Sequence, residues 1–131
     1  MSEDLMTIRQ MCDAFDVTPR TLRFYESKEL LAPRREGQKR LFTRRDRARL
    51  KLILRGKKFG FTLEEIRQLL DLYGQGRAQE HQLVRTHEIA RERLEDLRAR
   101  RAELDEAVAE LESEIDFVGK KLADIRNSSA A

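Results

Sequence analysis

From position 81 to 125 the chain holds neither proline nor glycine except Gly119, and a seven-residue repeat runs through it, apolar at most of its positions. One set is His87, Leu94, Arg101, Val108, Ile115 and Leu122; the other is Leu83, Ala90, Leu97, Leu104, Leu111, Val118 and Ile125. The sets alternate at spacings of three and four, which is the seam of a coiled coil. At 1.5 Å per residue this run is about 65 Å long. A helix of that length cannot cover its stripe on a domain of 80 residues. A second copy of the chain is the simplest partner. A homodimer is therefore expected, held through Leu94, Leu97, Leu104, Val108, Leu111, Ile115 and Val118. The heptads accommodate parallel and antiparallel pairing alike. Arg101 interrupts the seam; it either sets register or snorkels outward.

Composition supports a small domain joined to that helix. Of 131 residues 39% are charged and 6% aromatic, with no Trp, a sparse supply for one compact globule. Charge is uneven. Residues 34–58 hold 12 Lys or Arg and two acids, Glu36 and Asp46, a net of +10. Such density attracts a polyanion, although a solvated helix face has the same composition. Residues 81–131 hold 9 basic and 12 acidic groups, a net of −3.

Cys12 is the single cysteine, so no disulfide forms within the chain and no thiolate cluster exists. Its expected place is a small apolar site in the core. His81 and His87 are six apart and do not share a helix face, so no metal or other cofactor is expected. No apolar run approaches membrane-spanning length. The start, MSEDLM, lacks the basic and apolar regions of a signal peptide, and a cytoplasmic protein is expected.

Helix boundaries are well marked. Thr7 and Gln10 form a capping box ahead of a helix reaching about Phe15, with Ile8, Met11 and Phe15 on one face. Asp16-Val17 is a short break. Thr18-Pro19 then restarts a helix with a cap and a first-turn proline. Two short helices joined this tightly predict a helix-turn-helix. The second should fade over 28–31 and stop at Ala32-Pro33. RREGQKRLF, 34–42, reads as a two-stranded hairpin turning at Gly37. Thr43 opens a third helix, weakened by Gly56 and ended by Gly60, with Lys57 and Lys58 suited to its negative end. A further capping box, Thr62 to Glu65, opens a helix with Leu63, Ile66, Leu69, Leu70 and Tyr73 on one face. The expected fold is mainly all-α: a winged helix-turn-helix domain over 1–73, a hinge over 74–80, a dimerising coiled-coil helix over 81–126, and a frayed tail over 127–131.

On a helical wheel, TPRTLRFYE (18–26) separates into two faces. Leu22 and Tyr25 share one and should anchor the core, with the tyrosine hydroxyl reaching outward at most. Arg20, Arg23 and Phe24 share the other. A guanidinium fork can hold a phosphate or both acceptors of a guanine edge. The second helix of a helix-turn-helix is the one that enters the major groove. The plain alternative for Arg20 and Arg23 is ordinary surface arginine.

Residues 7–72 resemble the DNA-binding domain of the MerR family of bacterial transcription regulators. The marks are RTLRFYE followed by LL-x-P, a basic wing leading into RLF-T, the RL-x-x-I run, and GFTLEEI, in one order and spacing. The resemblance implies an antiparallel coiled-coil dimer on a palindrome in double-stranded promoter DNA. Such a dimer distorts an over-long spacer and realigns the promoter elements for RNA polymerase. It implies recognition-helix contacts from Thr18, Arg20, Thr21, Arg23 and Tyr25, backbone contacts from Lys39 and Arg40 in the wing, and a phosphate contact near Lys57 and Lys58. Phe24 stands where many members have Tyr. The cysteines that metal- and redox-sensing members carry near the dimer helix are missing here. Within the family, KLILRGK and its surroundings resemble regulators of branched-chain amino-acid and fatty-acid degradation, which suggests an acyl-CoA as effector. An effector would bind between the long helix and the DNA-binding domain.

Two rivals share these features: an architectural DNA-bending protein without a ligand, and a coiled-coil scaffold whose basic part binds another protein. An enzyme is not expected, since no nucleophile–base pair, glycine-rich phosphate loop or metal spacing occurs.

Overall fold

A computed structural model describes residues 4–74 and 79–130. The order is β1 (Met6–Thr7), α1 (Ile8–Phe15), α2 (Pro19–Ser27), β2 (Arg34–Glu36), β3 (Lys39–Phe42), α3 (Arg44–Phe59), α4 (Leu63–Gly74) and α5 (Glu80–Ala130). The chain divides into two units, residues 1–90 and 91–131.

In the first unit the capping signals act as written. Thr7 accepts from the Gln10 N–H at 3.2 Å, and the Gln10 side chain accepts from the Thr7 N–H at 2.8 Å. Thr62 and Glu65 repeat this reciprocal pair at the head of α4. Asp16, at φ 54°, closes α1 in the left-handed conformation that asparagine and aspartate tolerate. Met11, Leu22, Tyr25, Leu30, Leu31, Phe42, Leu50, Ile53, Ile66 and Leu70 form one buried core. Fully burying one such leucine contributes roughly 1.5–3 kcal/mol.

The sheet has three strands in the order β1-β3-β2, all antiparallel, where the sequence predicts only the hairpin. Met6 pairs with Phe42 and Thr7 with Leu41. Two residues carry too little alternation to signal a strand. Thr7 also serves as the cap of α1, which hides its second role.

Helix α2 ends at Ser27, earlier than the fade predicted over 28–31. Glu29 takes a left-handed φ of 61°, turning the chain so that Leu30 and Leu31 drop into the core. Ala32-Pro33 lies past the stop and does not cause it. Gly56 lies inside α3, buried against α4. A Cβ there would stand 2.9 Å from Ile66 Cγ1, so the glycine permits close packing of the two helices.

Of the predicted hinge over 74–80, Gly74 closes α4 and residues 75–78 lie outside those described. The first turns of α5 belong with the first unit, where Ile89 is 2% exposed. In the second unit α5 continues as unbroken helix. The predicted frayed tail is helical through Ala130, since neither proline nor glycine interrupts Asn127-Ser128-Ser129. Leu94, Leu104, Val108, Leu111, Ile115 and Val118 are all between 46% and 65% exposed, and Leu97 is half-buried.

Candidate nucleic-acid interface

Helix α2 is held from both ends. Thr18 caps it: its Oγ1 accepts from the Thr21 N–H at 3.2 Å, and the two threonine hydroxyls are 2.9 Å apart. Pro19 occupies the first helical position. At the other end, the last-turn carbonyls accept from the Lys28, Glu29 and Leu30 N–H groups, and arginines from later elements hold the chain at and just past the cap. Arg67 of α4 donates to the Lys28 carbonyl at 2.6 Å, and Arg49 of α3 donates to the Leu30 carbonyl at 2.7 Å. Burial, reinforced by Arg45, pushes the Arg49 pKa down from its usual value. Cations at a helix C-terminus are favourable through the dipole.

The two faces of α2 are those of the wheel. Leu22 and Tyr25 are 0% and 3% exposed. Arg20, Arg23 and Phe24 are exposed, as is Thr18, while Thr21 is half-buried. Tyr25 therefore belongs with the core. Its ring packs within that core, so an outward contact is left to the tip alone. The cause is the shared direction of residues 22 and 25 on the helix. Burial raises the Tyr25 phenol pKa above its usual value. Phe24 packs at the rim: its ring centroid is 5.7 Å from that of Tyr25, and Lys28 Nζ lies 5.7 Å over its face. That cation–π contact gives the exposed ring a local partner.

The wing turns at Gly37, where φ is 63°. Lys39 is exposed beside the turn. Arg40 differs from it. Its Nε donates to both oxygens of Glu26, at 2.9 and 3.0 Å, tying β3 to the end of α2. Glu26 closes the RTLRFYE run, but nothing in the sequence pattern pairs it with Arg40. Lys57 and Lys58 are exposed in the last turn of α3, where Gly60 donates to the Lys57 carbonyl at 3.0 Å.

Behind the interface, Asp46 is the one buried charged side chain among the described residues. It accepts from the Ala32 N–H at 3.0 Å, the Thr43 N–H at 3.0 Å and the Thr43 hydroxyl at 3.1 Å. It thereby closes the capping box of α3 and fixes the loop after α2. Cys12 is half-buried against the core rather than fully enclosed. Burial and Asp13 raise its pKa, with Arg23 opposing, so thiolate chemistry is disfavoured. Among the described residues no three His, Cys, Asp or Glu side chains are placed to hold a metal. No described helix is long and apolar enough to cross a membrane.

The sequence matches the family model of the MerR HTH family regulatory proteins over residues 6–72, and that of the MerR DNA-binding region over 47–113. The chain belongs to the MerR family. As a MerR-family protein it is a DNA-binding transcription regulator and not an enzyme. It is similar to the HTH-type transcriptional regulator ZntR of Escherichia coli strain K12, with 37% identity over 99 residues, 74% of this chain and 69% of that one. Its structure is similar to that of a MerR-family regulator from Bacillus cereus. The TM-score is 0.63 and the identity 27%, covering 86% of this chain and 83% of that one. The fold is also that of HiNmlR, a MerR-family regulator lacking the sensor domain and solved bound to promoter DNA. There the TM-score is 0.63 and the identity 22%, covering 79% and 78% of the two chains.

Proposed function

We propose that this MerR regulator reads a palindromic promoter site through Arg20 and Arg23 of two copies of α2, joined through the stripe of α5. The observation that carries the reading is the exposure of both arginines opposite a fully buried Leu22, on a helix capped and pinned at both ends. Rigid presentation matters because base readout requires the fork to meet two acceptors at once. Thr18 and Thr21 stand beside that face, and Lys39, Lys57 and Lys58 supply phosphate contacts. Phosphate contacts set register and orientation without reading sequence. The dimer is antiparallel and distorts the promoter spacer, and RNA polymerase at the realigned promoter, in the cytoplasm, is its partner.

An acyl-CoA is the effector class that the subgroup resemblance supports. The cleft between α4 and the first turns of α5, lined by Gln68, Asp71, His81, Gln82, Arg85 and Thr86, has a volume of 210 Å³. Ligand pockets run from about 300 Å³ upward, so this cleft would have to open to admit one.

Arg23→Ala tests the central claim. Operator affinity should fall about 10- to 100-fold, the worth of a lost bidentate base contact, with the dimer intact. Unchanged affinity would remove Arg23 from the interface. Footprinting separates regulation from simple bending: the regulator protects DNA between two promoter elements, whereas an architectural protein protects scattered sites. Repeating the footprint with acyl-CoA tests the effector.

A further inference from the structure

One carboxylate stands where the recognition helix meets the wing. Glu26 lies in the last turn of α2, three residues after Arg23. Both its oxygens accept from Arg40 Nε, and its Oε1 lies 3.7 Å from Arg35 Nη2. Arg35 and Arg40 are direct cross-strand partners on β2 and β3. Like charges so placed repel and weaken a hairpin. Glu26 offsets that repulsion from outside the hairpin. The Glu26 and Arg40 side chains are only 19% and 23% exposed, so their bond is charge-assisted and partly shielded from water. Glu36, the other acid of the wing, is exposed at the turn and holds neither arginine.

We propose that Glu26 is a positioning residue that determines specificity: it docks the wing on the recognition helix and keeps Arg35 and Arg40 from meeting phosphates indiscriminately. This rests on the DNA-binding reading above. Two consequences of the geometry carry it. The height at which Arg20 and Arg23 enter the groove depends on where the wing sits on the backbone, and Glu26 is the polar link between the two elements. Non-specific affinity grows with each phosphate neutralised. A guanidinium already paired with a carboxylate contributes less to it than a released one. Glu26 thus lowers binding to random DNA while keeping the elements in the register that the operator needs.

The test uses the full-length protein. A high-affinity duplex is first recovered from a random-sequence library with the wild-type chain, and a scrambled duplex of equal composition is the reference. If no duplex is enriched over the reference, the DNA-binding reading itself fails, and this proposal with it. With a duplex in hand, Glu26→Gln should lower the ratio of the two affinities about tenfold, the size of a broken coupled pair. The salt slope on the scrambled duplex should steepen by about 0.9 per arginine released. Glu36→Gln removes the same charge without freeing either arginine, and its ratio should stay within about twofold of wild type. Arg40→Lys keeps the charge but loses the Nε donor; it should also lower the ratio, and it carries the test if Glu26→Gln does not fold. A Glu26→Gln protein with an unchanged ratio and slope overturns the proposal. So does an equal loss on both duplexes, which is what a merely structural residue would produce.

Discussion

Helices α3 and α5 each contain an interior glycine, and the two sites could hardly differ more. Gly56 is enclosed, with Ile66 and Phe61 where its Cβ would be; Gly119 has nothing within 4 Å. The same contrast runs through the two units. In residues 1–90 ten buried residues form one core, although Phe24, Phe59, Tyr73, Leu83 and Val84 stay exposed. In residues 91–131 the heptad leucines and valines, apart from half-buried Leu97, stay exposed. Local ion pairs such as Lys120–Asp116, at 3.1 Å, contribute only about 0.3–0.5 kcal/mol each and cannot replace that missing burial. The first unit closes a core of its own, whereas the stripe of the second requires a partner to cover it.

The sharpest way to break this comparison is to charge the stripe. Leu111→Glu should raise the dimer dissociation constant at least about 100-fold, since a leucine worth roughly 1.5–3 kcal/mol is lost from each copy. Sedimentation equilibrium measures it. An unchanged dimer would mean that the stripe is covered by something other than a second α5. The first unit should meanwhile keep its own unfolding transition.

The next largest effect belongs to the first unit. Asp46→Ala removes three accepted hydrogen bonds and the reciprocal cap of α3. Stability should drop by about 2–4 kcal/mol, because buried N–H groups are left unsatisfied. Urea unfolding, followed where dimerisation does not change, reads this directly. A loss under about 1 kcal/mol would mean that water replaces the carboxylate.

The smallest test returns to the glycines. Gly119→Ala should stabilise α5 by about 1 kcal/mol, the propensity difference in an open helix interior. Gly56→Ala gains the same propensity but must displace Ile66 Cγ1, and overpacking costs about 1–3 kcal/mol. Its net effect should be a loss near 1 kcal/mol. Shifts of the same sign in the two melting curves would show that α4 yields more readily than its packing suggests.

Much of this was legible from residue order alone. Capping boxes at Thr7 and Thr62, the helix start at Thr43, the Thr18-Pro19 restart, the turn at Gly37 and the stop at Gly60 are all local chemistry, and each marks its element within a residue or two. The two faces of α2 followed from helical period. Less legible were the contacts made across long separations. The pairing of Met6 with Phe42, the reach of Arg67 to Lys28 and the bond from Arg40 Nε to Glu26 link residues between 14 and 39 positions apart. No periodicity announces them.

The sequence by itself determined where helices begin, which side of α2 turns to solvent and that α5 lacks cover, because backbone hydrogen bonding and helical period depend on near neighbours. Tertiary structure alone decided which basic residues are presented and which are occupied. Arg20, Arg23 and Lys39 are presented. Arg40, Arg49 and Arg67 look the same in sequence, yet each is drawn onto a carboxylate or a backbone carbonyl that folding brings within 3 Å. An arginine is always charged, so only the position of its partners determines whether that charge braces the fold or meets a ligand.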